Sequence, residues 1–183
     1  MRRGVISRRV ARWRGDQSGV AAVEFAFCVP VLLVVCLGGY EITQAMATYR
    51  KVSDTTVELA NVTAQYTTMS ATDVNSVFNA SAQVMSPFST TPLAIVLSEI
   101  QTDASSNAKV AWSCSFNGAT ALTVGASVTM PTGLASPSSY YILVQTSYQY
   151  TPTVGASFVG AFPMTDQIYM IPRSSPSIPN SGC

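Results

Sequence analysis

Histidine is absent from this chain, and with it go the commonest general base and the commonest metal ligand among side chains. Charge is scarce as well. Asp, Glu, Lys and Arg make up 10% of its 183 residues, against about 25% in an ordinary soluble domain. Hydroxyls and amides must therefore supply solubility, a composition that suits an exported domain and serves polyanion binding poorly. Cysteine is confined to Cys28, Cys36, Cys114 and Cys183. No C-x-x-C spacing occurs, so neither zinc ligation nor thioredoxin-type chemistry is indicated. No metal ligand set, no cofactor and no catalytic residue is nominated, and the chain reads as a non-enzyme. An exported hydrolase would need a clustered polar pocket for which the sequence gives no sign. No internal repeat is visible.

What is present is unevenly placed. Six of the ten basic residues, Arg2, Arg3, Arg8, Arg9, Arg12 and Arg14, precede residue 15. From Val20 onward four basic residues stand against eight acidic ones. A basic arm can bind nucleic acid, but this one abuts a run of membrane length. The positive-inside rule explains it better, and no nucleic-acid partner is expected. The run is VAAVEFAFCVPVLLVVCLGG, Val20 to Gly39, with Glu24 as its one charge. About 20 such residues in a helix span the ~30 Å hydrocarbon layer. Pro30 should loosen the helix near Ala26, a change tolerated in membrane helices. Cys28 and Cys36 read as small apolar residues of that helix, and Gly38-Gly39 as its ordinary small residues.

Past Gly39 the pattern turns amphipathic. Ile42, Met46, Tyr49, Val52, Thr56, Leu59 and Thr63 recur at steps of three and four, a helical period that extends the helix to about Tyr66. Thr72-Asp73 reads as a second helix start, with Val74, Val77, Phe78 and Met85 on one face and Pro87 as its stop. Downstream the period falls to two. Val110, Trp112, Cys114 and Phe116 are placed on one strand face; Tyr140, Ile142, Val144, Tyr148 and Tyr150 on another. Leu93–Gln101 and Gln167–Ile171 are further strands, and Asn117-Gly118 and Pro131-Thr-Gly133 are turns. The tail from Pro172 reads as irregular. The fold class is α+β: one long N-terminal helix, a short second helix, and a small antiparallel sheet of four or five strands packed against them. The divisions are 1–19, a basic leader; 20–39, a transmembrane helix; 40–66, its amphipathic extension; and 67–183, an extracytoplasmic β-rich domain.

Trp112, Tyr148 and Tyr150 are assigned to core packing rather than to a binding face. Glu99 and Asp103 could be a carboxylate pair, but a solvated strand end is the expectation. In an oxidising compartment Cys114 and Cys183 are the natural disulfide pair. Asn61-Val-Thr63 and Asn79-Ala-Ser81 match the glycosylation pattern by chance under a bacterial reading.

Three readings compete at the N-terminus. A cleaved secretory signal would use Ala45-Met46-Ala47, but its apolar core is too long and carries a glutamate. A plain signal anchor leaves Glu24 unexplained: a carboxylate inside a membrane segment costs about 2.5–3.5 kcal/mol on insertion scales. Cleavage between Gly19 and Val20 would free an amine one helical turn from Glu24, which with the helix N-terminal dipole would stabilise the carboxylate. A neighbouring subunit's amine would serve as well.

Gly19-Val-Ala-Ala-Val-Glu24-Phe25 resembles the prepilin-peptidase motif of type IV pilins, in which a glycine precedes the cut and a glutamate and an aromatic take the fifth and sixth mature positions. The run Gly19-VAAVEFAFCVPVLL looks like the TadE family of the tight-adherence secretion system. So do Val110-Ala-Trp112-Ser, Ser147-Tyr-Gln-Tyr150-Thr-Pro152 and Met170-Ile-Pro172-Arg173. Phe25 stands where the family often has tyrosine. The resemblance implies a minor pilin or pseudopilin, needed for assembly of an adhesive type IV pilus. It implies as partners a prepilin peptidase, other pilin and pseudopilin subunits, an inner-membrane secretion platform and membrane lipid. Gly19 and Val20 would flank the cut, and Glu24 and Phe25 would serve assembly. The place implied is the bacterial inner membrane, single-pass, with the C-terminal domain in the periplasm or carried into a pilus. The alternative is a generic single-span envelope protein whose extracytoplasmic domain binds a ligand.

Overall fold

The computed structural model describes residues 18–183; the leader arginines lie outside them. Two units are distinguished, one ending at Thr43 and one running Gln44–Cys183. Helix α1 is continuous over Ser18–Thr63, with Pro30 inside it. In the first unit its apolar side chains are exposed on every side, from Val20 and Phe25 through Val31, Leu32, Leu33, Val34 and Val35. A helix apolar all round has no wet face to present.

The second unit holds the rest of α1, helix α2 (Ala71–Met85) and a five-stranded sheet: β1 Leu93–Thr102, β2 Ala108–Phe116, β3 Ser127–Val128, β4 Tyr140–Tyr150 and β5 Phe162–Met170, with a single helical turn α3, Ala156–Val159, before β5. The sheet order is β3-β2-β1-β4-β5, and every pair is antiparallel. The α+β architecture is therefore the one expected from the change of period along the chain. Helix α2 begins at a capping box: Ser70 Oγ accepts from the Asp73 N–H, and the Asp73 carboxylate accepts from the Ser70 N–H. This satisfies two groups that a helix start otherwise leaves open. Val74, Val77, Phe78 and Met85 are its buried face, as the spacing predicts.

One sheet face meets the helices. Leu93, Ile95, Leu97, Trp112, Cys114, Ile142, Val144 and Tyr148 join Val52, Leu59, Val77 and Phe78 in one core. Trp112, Tyr148 and Tyr150 are core residues here. A smaller cluster of Ile100, Ala108, Val110, Tyr141 and Leu143 lies separately, covered by Leu122, Val128, Met130 and Leu134.

Two expectations are corrected. Val110 does not share a face with Trp112 and Cys114. The register shifts between Glu99 and Ile100, where Glu99 pairs with Trp112 and Ile100 with Val110. The extra residue, Ala111, is a β-bulge that reverses which side chains face the core. The second correction concerns part of the α1 row. Val52, Thr56, Leu59 and Thr63 are buried as the period suggests, but Ile42, Met46 and Tyr49 are 64%, 54% and 46% exposed, and Thr48, Thr55, Ala60 and Ala64 complete the buried row. Threonine can occupy a buried helix face because its hydroxyl returns to the carbonyl one turn back. Thr48, Thr55 and Thr56 do so to Gln44, Lys51 and Val52 at 2.7–2.9 Å. Thr56 also shares a 2.6 Å hydrogen bond with Thr146 of β4, pinning helix to sheet.

The tail after β5 has little regular structure, yet it is not loose. Ile178 is fully buried, Met69 and Asn180 form an isolated bridge, and Cys183 is bonded to Cys114 across 69 residues with Cα atoms 5.2 Å apart. Gly182 lies so close to the start of α2 that a Cβ there would overlap the Ala71 backbone.

Candidate functional site

The residues singled out near the N-terminus lie in the opening turns of α1. Gly19, Val20, Glu24 and Phe25 are all exposed, and Val20 and Glu24 are four apart, so they stand on the same helix face one turn from each other. A side chain at Gly19 would meet nothing within 4 Å. Among the described residues, no packing requires a glycine there. Glu24 is the one charged residue between Val20 and Gly39. The most apolar 18-residue window of this helix has a mean hydropathy of 2.6, and none of it is buried within the structure. By length and composition α1 can cross a membrane. The arrangement thus offers a single carboxylate, one turn from Val20, on an otherwise neutral apolar surface.

The second unit offers no comparable chemical grouping. Among the described residues, no three or more Cys, Asp or Glu side chains converge as a metal site would require. A shallow groove over the sheet is lined by Gln145, Thr146, Ser147, Thr165, Asp166 and Gln167 among others, and the Asp166 carboxylate there accepts from the Gln167 backbone N–H.

Glu99 departs from the expected solvated strand end. It is 2% exposed. Its carboxylate accepts the Trp112 indole N–H at 3.0 Å and the Ile178 backbone N–H at 2.6 Å, while the same indole N–H also reaches the Ile178 carbonyl at 2.8 Å. Burial pushes the carboxyl above its usual range, against the opposing pull of the Ile178 and Trp112 hydrogen bonds. Asp103 is exposed and accepts from Ser105 and Asn107 in its own turn. The two acids serve different neighbours and form no catalytic pair. Sequence reading missed the role of Glu99. Its β-strand neighbour Trp112 was a signal, but the backbone N–H that completes the arrangement comes from a residue 79 positions away.

The family model described as TadE-like protein matches residues 19–61, the family that the N-terminal run resembles. The match covers the opening turns, the apolar stretch and most of the extension of α1. The later segments around Trp112, Tyr150 and Pro172 lie outside it. The matched family is pilus-associated and is not a family of enzymes. No curated protein and no solved structure matches the chain.

Proposed function

We propose that this chain, matched to the TadE-like family through residues 19–61, is a minor pilin-like subunit needed for assembly of a tight-adherence type IV pilus. The observation that carries the reading is Glu24: one carboxylate on an exposed apolar helix, one turn from Val20, which follows a glycine that packing among the described residues does not require. In hydrocarbon such an acid is costly unless a positive group meets it. A prepilin peptidase acting between Gly19 and Val20 removes all six leader arginines and leaves an amine on Val20. That amine, on the same subunit or the next, offsets the carboxylate and sets the register between subunits. Phe25 adds apolar contact beside it. The positive-inside rule puts the leader in the cytoplasm and the second unit in the periplasm of a single-pass inner-membrane protein. The partners are then the peptidase, other pilin and pseudopilin subunits, the secretion platform and lipid.

N-terminal sequencing of the mature protein, with a pilus count for a Glu24→Ala strain, tests this. The expected mature chain starts at Val20. Glu24→Ala should insert at least as well as the parent, since a desolvation cost is gone, and yet form few pili. A mature chain starting at Met1 leaves only a membrane anchor, and one cut after Ala47 leaves an exported domain without its span; either defeats the pilin reading.

A further inference from the structure

The most exposed large apolar side chain in the second unit belongs to the β4–β5 connection. Phe158 is 95% exposed and Val159 beside it 68%. They form the crest of α3, a single turn closed by the Phe158 and Val159 N–H groups on the Gly155 carbonyl and by the Gly160 N–H on Ala156. Gly155 and Gly160 flank it at φ of 78° and 73°, conformations that a side chain would resist. An ordered turn thus holds two adjacent large apolar side chains in open solvent, and apolar groups exposed together mark interaction or membrane surfaces.

The position of this turn within its unit is fixed by contacts along α1. Ala45, Met46, Tyr49 and Arg50 line one hollow with Phe162–Thr165. Thr56 bonds Thr146, which pairs with Asp166. Asn61 accepts from Arg173. Rising numbers on the helix therefore track rising numbers on β5, and the connection before Phe162 lies at the end of the unit where Gln44 enters. Gln44 lies five positions after Gly39, and even fully extended that length of chain reaches no further than about 18 Å. On the anchored reading, Gln44 therefore lies within that reach of the end of the span. The connections at this end, Ser86–Pro92, Asn117–Thr120 and Thr151–Ala161, contain no charged residue. The β1–β2 turn at the other end carries Asp103, with Lys109 next to it on β2.

We propose that the β4–β5 connection is a second membrane contact, in which Phe158 and Val159 enter the headgroup–acyl boundary of the bilayer that holds α1. This rests on the anchored reading given under Proposed function. Aromatic and aliphatic side chains next to uncharged, hydroxyl-rich loops match that boundary, where apolar groups settle about 5–10 Å deep. Exposed Met46 and Tyr49 line a hollow with Phe162, four residues after Phe158, and with Arg50, whose charge suits an anionic headgroup.

Tryptophan placed in the full chain, in vesicles of phosphatidylcholine and phosphatidylglycerol with brominated acyl chains, tests it, each variant being read against the parent chain in the same lipid. Leu37→Trp marks the span, Phe158→Trp the crest and Ser105→Trp the opposite turn. The expected result is that Phe158→Trp loses roughly half its added emission to bromine, as an interfacial side chain should, while Ser105→Trp loses none. If Leu37→Trp is quenched and Phe158→Trp is not, the anchor stands and this second contact is overturned. If Leu37→Trp also escapes, the anchored reading fails and this inference falls with it. Shielding of Phe158→Trp from acrylamide only in assembled fibres, with no bromine effect in bilayers, would reassign the crest to a neighbouring subunit and overturn the lipid contact.

Discussion

Glu99 shows what a single residue does when its partners are far away in sequence. Its two donors, the Trp112 indole and the Ile178 backbone, suit a carboxylate, yet burial outweighs them and raises the pKa from the ordinary 4.5. An acid whose folded pKa lies above its unfolded value stabilises the fold fully below the unfolded value, and loses that contribution as pH rises through the folded one. Stability should therefore fall as pH climbs from about 4.5, the unperturbed value. Asp73 and Asp103 act in the opposite sense and in a lower window. Hydrogen bonds, led by those from Ser70 and Asn107, depress them below 3.8, so their stabilisation is complete above that pH and is lost only in stronger acid. Thermal unfolding of the parent and Glu99→Gln between pH 4.5 and 7 separates the two: the parent declines across the window and the variant stays flatter, whatever its absolute melting temperature. Equal slopes would show that Glu99 does not titrate there. None of this was legible in the sequence, because a carboxylate near a strand end is ordinarily wet, and Ile178 stood in a tail that reads as irregular.

At the scale of elements, legibility depended on whether the signal was local. Helix α2 starts one residue before the expected Thr72-Asp73: its cap is Ser70, three residues before Asp73, and the two bond reciprocally, a local signal that the spacing of Ser70 and Asp73 carries. Ser70→Ala should remove one arm of that box and lower stability by about 1 kcal/mol. Denaturant unfolding measures it, and an unchanged midpoint would mean that the box is idle. The faces of β2 and α1 were misjudged for two different reasons. In β2 a strict period of two carried Val110 onto the face of Trp112, and only the pairing with β1 shows where Ala111 breaks it. In α1 the helical period placed Met46 and Tyr49 in one row with Thr56 and Thr63. The buried face keeps Thr56 and Thr63 and takes Thr48 and Thr55 in place of Met46 and Tyr49; the hydroxyls of Thr48, Thr55 and Thr56 bond to their own helix, and Thr56 also to Thr146. Strand β5 began five residues earlier than its apolar alternation suggested, since Pro163, Thr165 and Asp166 belong to an edge strand that pairs only with β4, where proline and charge are tolerated.

Across the whole molecule the apolar residues form two populations that the mean hydropathy of +0.28 averages away. One is exposed on α1 from Val20 to Leu37; the other is the core, whose most N-terminal buried hydrophobic residue is Val52. The first population was plain in the sequence, because an uninterrupted apolar run needs no partner to be recognised. The order of the sheet was not, because β1 sits between β2 and β4 and no periodicity encodes which strands pair. The separation has an experimental consequence. Among the described residues no core residue precedes Gln44, so a chain of residues 44–183 should fold without detergent and unfold cooperatively, while the full chain requires a bilayer or micelle. The Cys114–Cys183 bond, closing a loop of 69 residues, should contribute roughly 4 kcal/mol to that domain by restricting the unfolded chain. It also ties down the tail that delivers Ile178 to Glu99 and Trp112. Denaturant titration of residues 44–183 with and without a thiol reductant reads this directly. A drop of that size on reduction, with Trp112 emission shifting to the red as its surroundings become wet, is the expected result. A reduced domain as stable as the oxidised one would show that the buried contacts of Ile178 and Asn180, rather than the bond, hold the tail in place.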